Sequence, residues 1–124
     1  MMPAEALYVA AGGALGALCR HGVSLWCADR FGKNFPYGTL FVNAAGSLLM
    51  GLLAGCAQRW GTFPVFALFA GAGFLGALTT FSTFSMDTFA AFRDGHPVKA
   101  VLNIALNTAL CLAATAGAFF LIVP

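Results

Sequence analysis

The chain has 124 residues, 60% of them hydrophobic, with six Lys or Arg against four Asp or Glu and a formal net charge of +2. A soluble domain of this length carries roughly thirty charges, so an ordinary soluble domain is excluded. A mean hydropathy of +0.88 with 15 Gly and 13 Phe suits helices packed closely in a lipid bilayer. Four spans of about 20 residues with short connections use nearly the whole length, which leaves no soluble catalytic domain. Without a basic run or an acidic tail, nucleic acid is not an expected partner.

At the amino end, residues 1–5 hold no basic n-region, and no small-residue cleavage site is followed by soluble sequence, so the first apolar run is expected to belong to the mature fold. The first segment runs from about residue 4 to 28. Arg20 and His21 interrupt it after a stretch too short to span alone, and a helix continued through Trp26 is long enough. DRFGKNFP, residues 29–36, gathers charge, Gly and Pro and reads as a polar connection. The second segment covers about 38–58, and residues 59–62 form a tight link. Pro64 suits the first turn of a third helix over 63–92.

That third segment is longer than one crossing needs, and its centre, GALTTFSTFS at 76–85, holds five hydroxyl residues in ten. The composition predicts a break there, since non-helical backbone is tolerated at membrane depth where protein or a water-filled cavity covers it. RDGHP at 93–97 ends the segment, and 98–123 is the fourth helix. The expected fold is thus one all-α membrane domain of four transmembrane helices with a break in the third. Helices this few and this short can hardly enclose a pathway alone, so a homo-oligomer is expected. Gly12 with Gly16, and Gly51 with Gly55, have the four-residue spacing that lets helix backbones approach closely. Cys19, Cys27, Cys56 and Cys111 have no C-x-x-C spacing and read as small hydrophobes in or beside the membrane segments.

Polar groups at membrane depth are costly and point to partners or pathways. Asn43 and Ser47 lie one turn apart on the second helix, and Asn103, Asn107, Cys111 and Thr115 form a ridge on the fourth. On the third, Phe81, Phe84 and Thr88 share one side and Thr80, Thr83 and Asp87 another. Amides, hydroxyls and the positive edges of Phe rings present partial positive charge without a full cation, which suits a small anion that must also escape. The same groups also serve as interhelical glue, and spacing alone leaves both readings open. No pair of carboxylates falls within helical reach, and neither His21 nor His96 has a neighbour at metal-ligand spacing, so no enzyme is expected. Arg20 either draws anions into a vestibule or plays a structural part, snorkelling or bonding carbonyls. Asp87 reads as a capping or interfacial partner for such an arginine.

Three motifs, GGALGALCRH at 12–21, GTLFVNAAGSLLMG at 38–51 and GFLGALTTFSTFS at 73–85, together resemble the Fluc (CrcB) family of fluoride channels, small bacterial membrane proteins that export fluoride passively. The resemblance covers nearly the whole chain, and the third motif is the most specific. It implies an antiparallel, dual-topology homodimer in the bacterial cytoplasmic (inner) membrane, with two fluoride pores lined by both subunits. It also implies a structural sodium ion (Na+) at the centre of the interface. Asn43 matches the pore asparagine, and Phe81 and Phe84 match the phenylalanines whose edges line the fluoride path. Gly76 and Thr79 match the positions whose backbone carbonyls hold sodium, with Thr80, Ser82 and Thr83 as nearby hydroxyl donors. Asn103 and Asn107 stand where the family often has a tyrosine and a serine.

Arg30, Lys33, Arg93 and Lys99 gather in or beside the first and third connections, while the opposite side has Arg59 and the amino terminus. By the positive-inside rule this favours one orientation with those connections cytoplasmic, against the two orientations that the resemblance implies. Two rival functions remain. A small multidrug exporter also uses four short helices, but needs an ionisable carboxylate deep in the membrane, and only Glu5 and Asp87 are near. A non-conducting assembly subunit would use the small-residue faces alone.

Overall fold

The computed structural model describes residues 2–124, and all of its regular structure is helical. Helix α1 spans Pro3–Phe31, α2 Tyr37–Trp60, α3 residues 64–78, α4 Phe81–Arg93 and α5 Pro97–Ile122. Pro3, Pro64 and Pro97 sit in the first turns of α1, α3 and α5, where a missing N–H costs nothing. Gly32 and Gly61 stop α1 and α2 with φ near +80°, and Gly95 does the same just beyond α4, a backbone region in which a Cβ is strained. Because the chain meets no such residue before Gly32, α1 takes in Asp29 and Arg30, and the polar connection shrinks to residues 32–36.

Three stretches are long and apolar enough to cross a membrane: Tyr37–Trp60, Pro64–Arg93 and Pro97–Ile122. Helix α1 is long enough at 29 residues, but Arg20 and His21 dilute its apolar content and keep it out of that set. The surface matches an apolar solvent. Leu7, Leu18, Val98 and Leu121 are each about 70% exposed or more, while the buried core is small, built from Val42, Leu75 and Leu78 against Val23, Leu53 and Phe74. Trp26 and Trp60 are exposed at opposite ends of the bundle, as aromatic side chains at the two membrane–water boundaries are.

Glycine brings the backbones together. The α1 positions Gly12 and Gly16 press against the carbonyls of Phe69 and Phe74, and a Cβ on Gly73 would stand 2.7 Å from the Val9 carbonyl. Gly51 and Gly55 do the same between α2 and α5, against Thr115 and against Phe119 and Ile122. Both G-x-x-x-G pairs therefore work inside one chain. The first part of α3 winds as a π-helix over Ala67–Leu75, a widened form often found at functional sites. Nothing in the composition of ALFAGAGFL marks that widening in advance.

Among the described residues the one ion pair joins Arg93 and Asp94 at 2.9 Å, both exposed and contributing little to stability. The hydrogen bond from Arg93 holds the Asp94 carboxyl below the usual carboxylate range.

Gly16→Ala is expected to destabilise the bundle by about 1–3 kcal/mol, because its methyl meets backbone that cannot step aside. Gly22→Ala, with nothing within 4 Å, is expected to be neutral or stabilising. Thermal melting of the two variants in detergent checks the contrast.

Candidate functional site

The break predicted over residues 76–85 is concentrated in two residues. Thr79 (φ −79°, ψ 153°) and Thr80 (φ −148°, ψ 116°) are extended, and helix resumes at Phe81. The cause is local and side-chain driven. The Thr80 hydroxyl accepts the Thr83 N–H at 3.2 Å, the bond of an N-cap, and donates to the Thr83 hydroxyl at 3.1 Å, with Ser82 Oγ 3.2 Å away. On the other side of the break the Thr79 N–H and hydroxyl both donate to the Leu75 carbonyl, at 3.1 and 3.0 Å.

Across from the break stands Asn43 on α2. Its Oδ1 accepts the Thr80 N–H at 2.7 Å and its Nδ2 donates to the Thr80 carbonyl at 3.1 Å, so one side-chain amide pairs with one residue's backbone as a strand neighbour would. In an unbroken α-helix the Thr80 N–H would bond the Gly76 carbonyl and the Thr83 N–H the Thr79 carbonyl. Asn43 and the Thr80 hydroxyl take those two donors instead. The break thus releases the carbonyls of residues 76–79 from the ladder, Gly76 and Thr79 among them, at the negative end of α3. Facing them, the first-turn N–H groups of α4, at Phe81 and Ser82, have no intrahelical acceptor and lie at its positive end. One break supplies oxygens for a cation and N–H groups for an anion.

The amide chain continues into α5. Asn43 Nδ2 donates to Asn107 Oδ1 at 3.0 Å, and Asn107 Nδ2 donates to Asn103 Oδ1 at 2.9 Å and to the Asn103 carbonyl at 3.0 Å. Asn103 Nδ2 donates to the Thr88 hydroxyl, which donates on to the Phe84 carbonyl. Asn103 and Asn107 are buried, and among the described residues no buried side-chain N or O lacks a partner.

Two clefts flank this network. One, of about 470 Å³, is lined by Asn43, Ser47, Thr80, Phe81, Phe84, Asn107, Thr108, Cys111 and Thr115, with the Phe81 and Phe84 rings tilted at 54° and 5.5 Å apart between centroids. It opens on the outer face, where Phe81 is 78% exposed. The other, of about 320 Å³, lies at the end of the bundle among Thr39, Thr83, Asp87, Lys33, His96 and Lys99.

The expected site residues therefore divide. Asn43, Thr80, Phe81, Phe84 and Asn107 share the first cleft with Thr79, while Thr83 belongs to the second. Asn103 lies behind Asn107 and lines neither cleft, and Ser82 is exposed beside Thr80. Arg20 is half-buried on α1, lines neither cleft and has no hydrogen bond to a described residue. Within the chain Asp87 has no arginine partner among the described residues: it accepts the hydroxyl of buried Thr39 at 2.9 Å. Thr39 went unmarked in the sequence, although it sits one turn before Asn43 on the same face.

A multi-pass membrane protein whose broken helix carries a polar, hydroxyl-lined centre belongs among proteins that handle ions at membrane depth. Its family is specific. The chain belongs to the CrcB family, described as CrcB-like protein, Camphor Resistance (CrcB), whose model matches residues 7–119. It is 50% identical over 106 residues to the "Fluoride-specific ion channel FluC" of Shewanella amazonensis, covering 86% of both chains. It is 47% identical, over the same span and coverage, to proteins of that name from Shewanella pealeana and Shewanella oneidensis.

Thr80→Ala removes the cap on α4 and is expected to cost about 1 kcal/mol, while Thr80→Ser retains most of it. Thermal melting in detergent orders the two variants.

Proposed function

We propose that the chain is a fluoride-selective channel that lets the ion leave the cell passively across the bacterial cytoplasmic membrane, and that it has no enzymatic role. The observation that carries this reading is the Asn43-braced break opening on the cleft of Phe81 and Phe84, in a family whose named relatives are fluoride channels. Along this path the anion meets ring edges, hydroxyls and the unpaired first-turn N–H groups at the positive end of α4, with no Lys or Arg in the cleft lining. Partial charges of this kind replace part of a hydration shell and still let the ion go. Phe81, Phe84 and Ser82 would touch the anion, with Asn43 and Thr80, whose polar hydrogens are bonded within the chain, shaping the path beside them, Thr83 serving the end cleft, Asn103 and Asn107 backing the path, and Arg20 biasing the approach from α1.

The working unit in this reading is an antiparallel homodimer in which α1 supplies a fourth crossing. Gly76 lies at the surface beside the break, and the polar cleft lining opens on the same outer face. Released backbone at membrane depth needs protein or an enclosed cavity over it, and a second copy supplies that cover. Sodium fits the carbonyls of Gly76 and Thr79, since hard cations take oxygen ligands and these two are free of the helical ladder. A proton-coupled multidrug exporter suits the chain less well, because Asp87 sits in the end cleft, bonded to Thr39.

Purified protein in liposomes is expected to release fluoride, read by an electrode, far faster than empty vesicles do, with chloride released much more slowly. No fluoride efflux above background refutes the channel reading. Phe81→Ile and Asn43→Ala are each expected to slow the flux about tenfold or more, the effect of roughly 1.4 kcal/mol on a barrier. Dual insertion works against the cluster of Arg30, Lys33, Arg93 and Lys99 at one end of the bundle. With the native cysteines replaced, Asn34→Cys is expected to react with an impermeant thiol reagent from both sides of the membrane. Labelling from one side only refutes dual topology.

A further inference from the structure

Asn107 lines the cleft, yet its hydrogen-bonding capacity is spent inside the protein. Its amide nitrogen donates twice to Asn103, to the backbone carbonyl and to Oδ1, and its Oδ1 accepts from Asn43. A primary amide has two N–H donors, so none is left for an anion. Its orientation is also fixed, because the Asn103 carbonyl can only accept and therefore holds the nitrogen end of Asn107 toward itself. Oδ1 is left to face Asn43. Asn43 is oriented in the same way at its far end, where the Thr80 N–H can only donate and requires Oδ1. The two amides form a polarised relay, pinned at both ends by backbone groups, and Asn103 extends it to Thr88 and the Phe84 carbonyl.

We infer that Asn107 is a positioning residue: through Asn43 it holds the Thr80 N–H away from Gly76 and so keeps the Gly76 carbonyl available to a cation, without touching either ion. The inference rests on the sodium reading above and adds to it a residue of α5 that sets the cation affinity. When the Asn107 bond is lost, Asn43 has a free hydrogen and can turn, and the Thr80 N–H is no longer reserved. Groups that orient ligands in this manner change metal affinity by about 10–100-fold when removed.

The test measures sodium affinity directly. Protein in detergent is titrated with sodium chloride against a choline chloride background, and the midpoint of the rise in melting temperature is read; fluoride efflux from liposomes is measured across the same sodium series. Asn107→Leu is expected to raise the sodium midpoint about tenfold or more and to slow efflux at low sodium, with high sodium restoring most of it. Thr88→Val, at the far end of the relay, is a milder change that preserves folding and is expected to raise the midpoint about two- to threefold. If both variants keep the wild-type sodium midpoint, or if the Asn107→Leu flux defect is unmoved by sodium, the positioning role is refuted. A wild-type chain whose melting ignores sodium removes the cation site itself and the inference with it. A wild type that melts higher with sodium but passes no fluoride refutes the channel reading and leaves the midpoint comparison to decide the role of Asn107.

Discussion

One side-chain amide holds the centre of this molecule open. Breaking a helix inside an apolar bundle strands backbone donors and acceptors at a depth where water does not satisfy them. Asn43 meets the worst of that cost by pairing both the N–H and the carbonyl of Thr80. Replaced by an apolar residue, Asn43 would leave the Thr80 N–H unpaired, at about 1–3 kcal/mol, and the Thr80 carbonyl with only the first bond of α4. The third helix would then have reason to close into a continuous rod. The clefts, the ring pair and the released carbonyls all depend on its remaining open.

The polar residues of the neighbouring helices are organised around that bond. The Thr80 hydroxyl caps α4 and begins a cluster with Ser82 and Thr83, while Thr79 closes off α3 through Leu75. Asn107, Asn103 and Thr88 brace Asn43 from α5. In the sequence, hydrogen-bonded glue and a lined pathway stood as alternatives. In the structure Asn103 bonds to Asn107 and Thr88 away from the clefts, Phe81 opens on the cleft, and Asn43 both bonds between helices and lines the cleft.

Much of this was legible in the sequence, for physical reasons that can be named. Apolar length separated by short charged stretches with Gly and Pro marked the helices, because charge is costly at membrane depth and Gly and Pro punctuate turns. Hydroxyl density in GALTTFSTFS marked the break, because threonine side chains compete for backbone bonds. Asn43 stood out as a polar residue at membrane depth one turn from Ser47, Phe81 and Phe84 as the rings inside the hydroxyl-rich stretch, and the family resemblance singled out all three. The π-helix over Ala67–Leu75 did not stand out in the sequence; it is the stretch whose Phe69 and Phe74 carbonyls and Gly73 meet α1 at Gly12, Gly16 and Val9. The Thr39 to Asp87 bond joins helices 48 residues apart, and no periodicity within one helix could have paired them.

The glycine contacts have a consequence for assembly. Both short-spaced glycine pairs are taken up by neighbours within the same chain, α1 against α3 and α2 against α5. The glycines left on the outside are few, Gly76 beside the break and Gly117 on α5 among them, and they stand between exposed Leu, Phe and Met side chains. The outer face is therefore uneven, bulky along most of its length and recessed where the cleft of Phe81 and Phe84 opens.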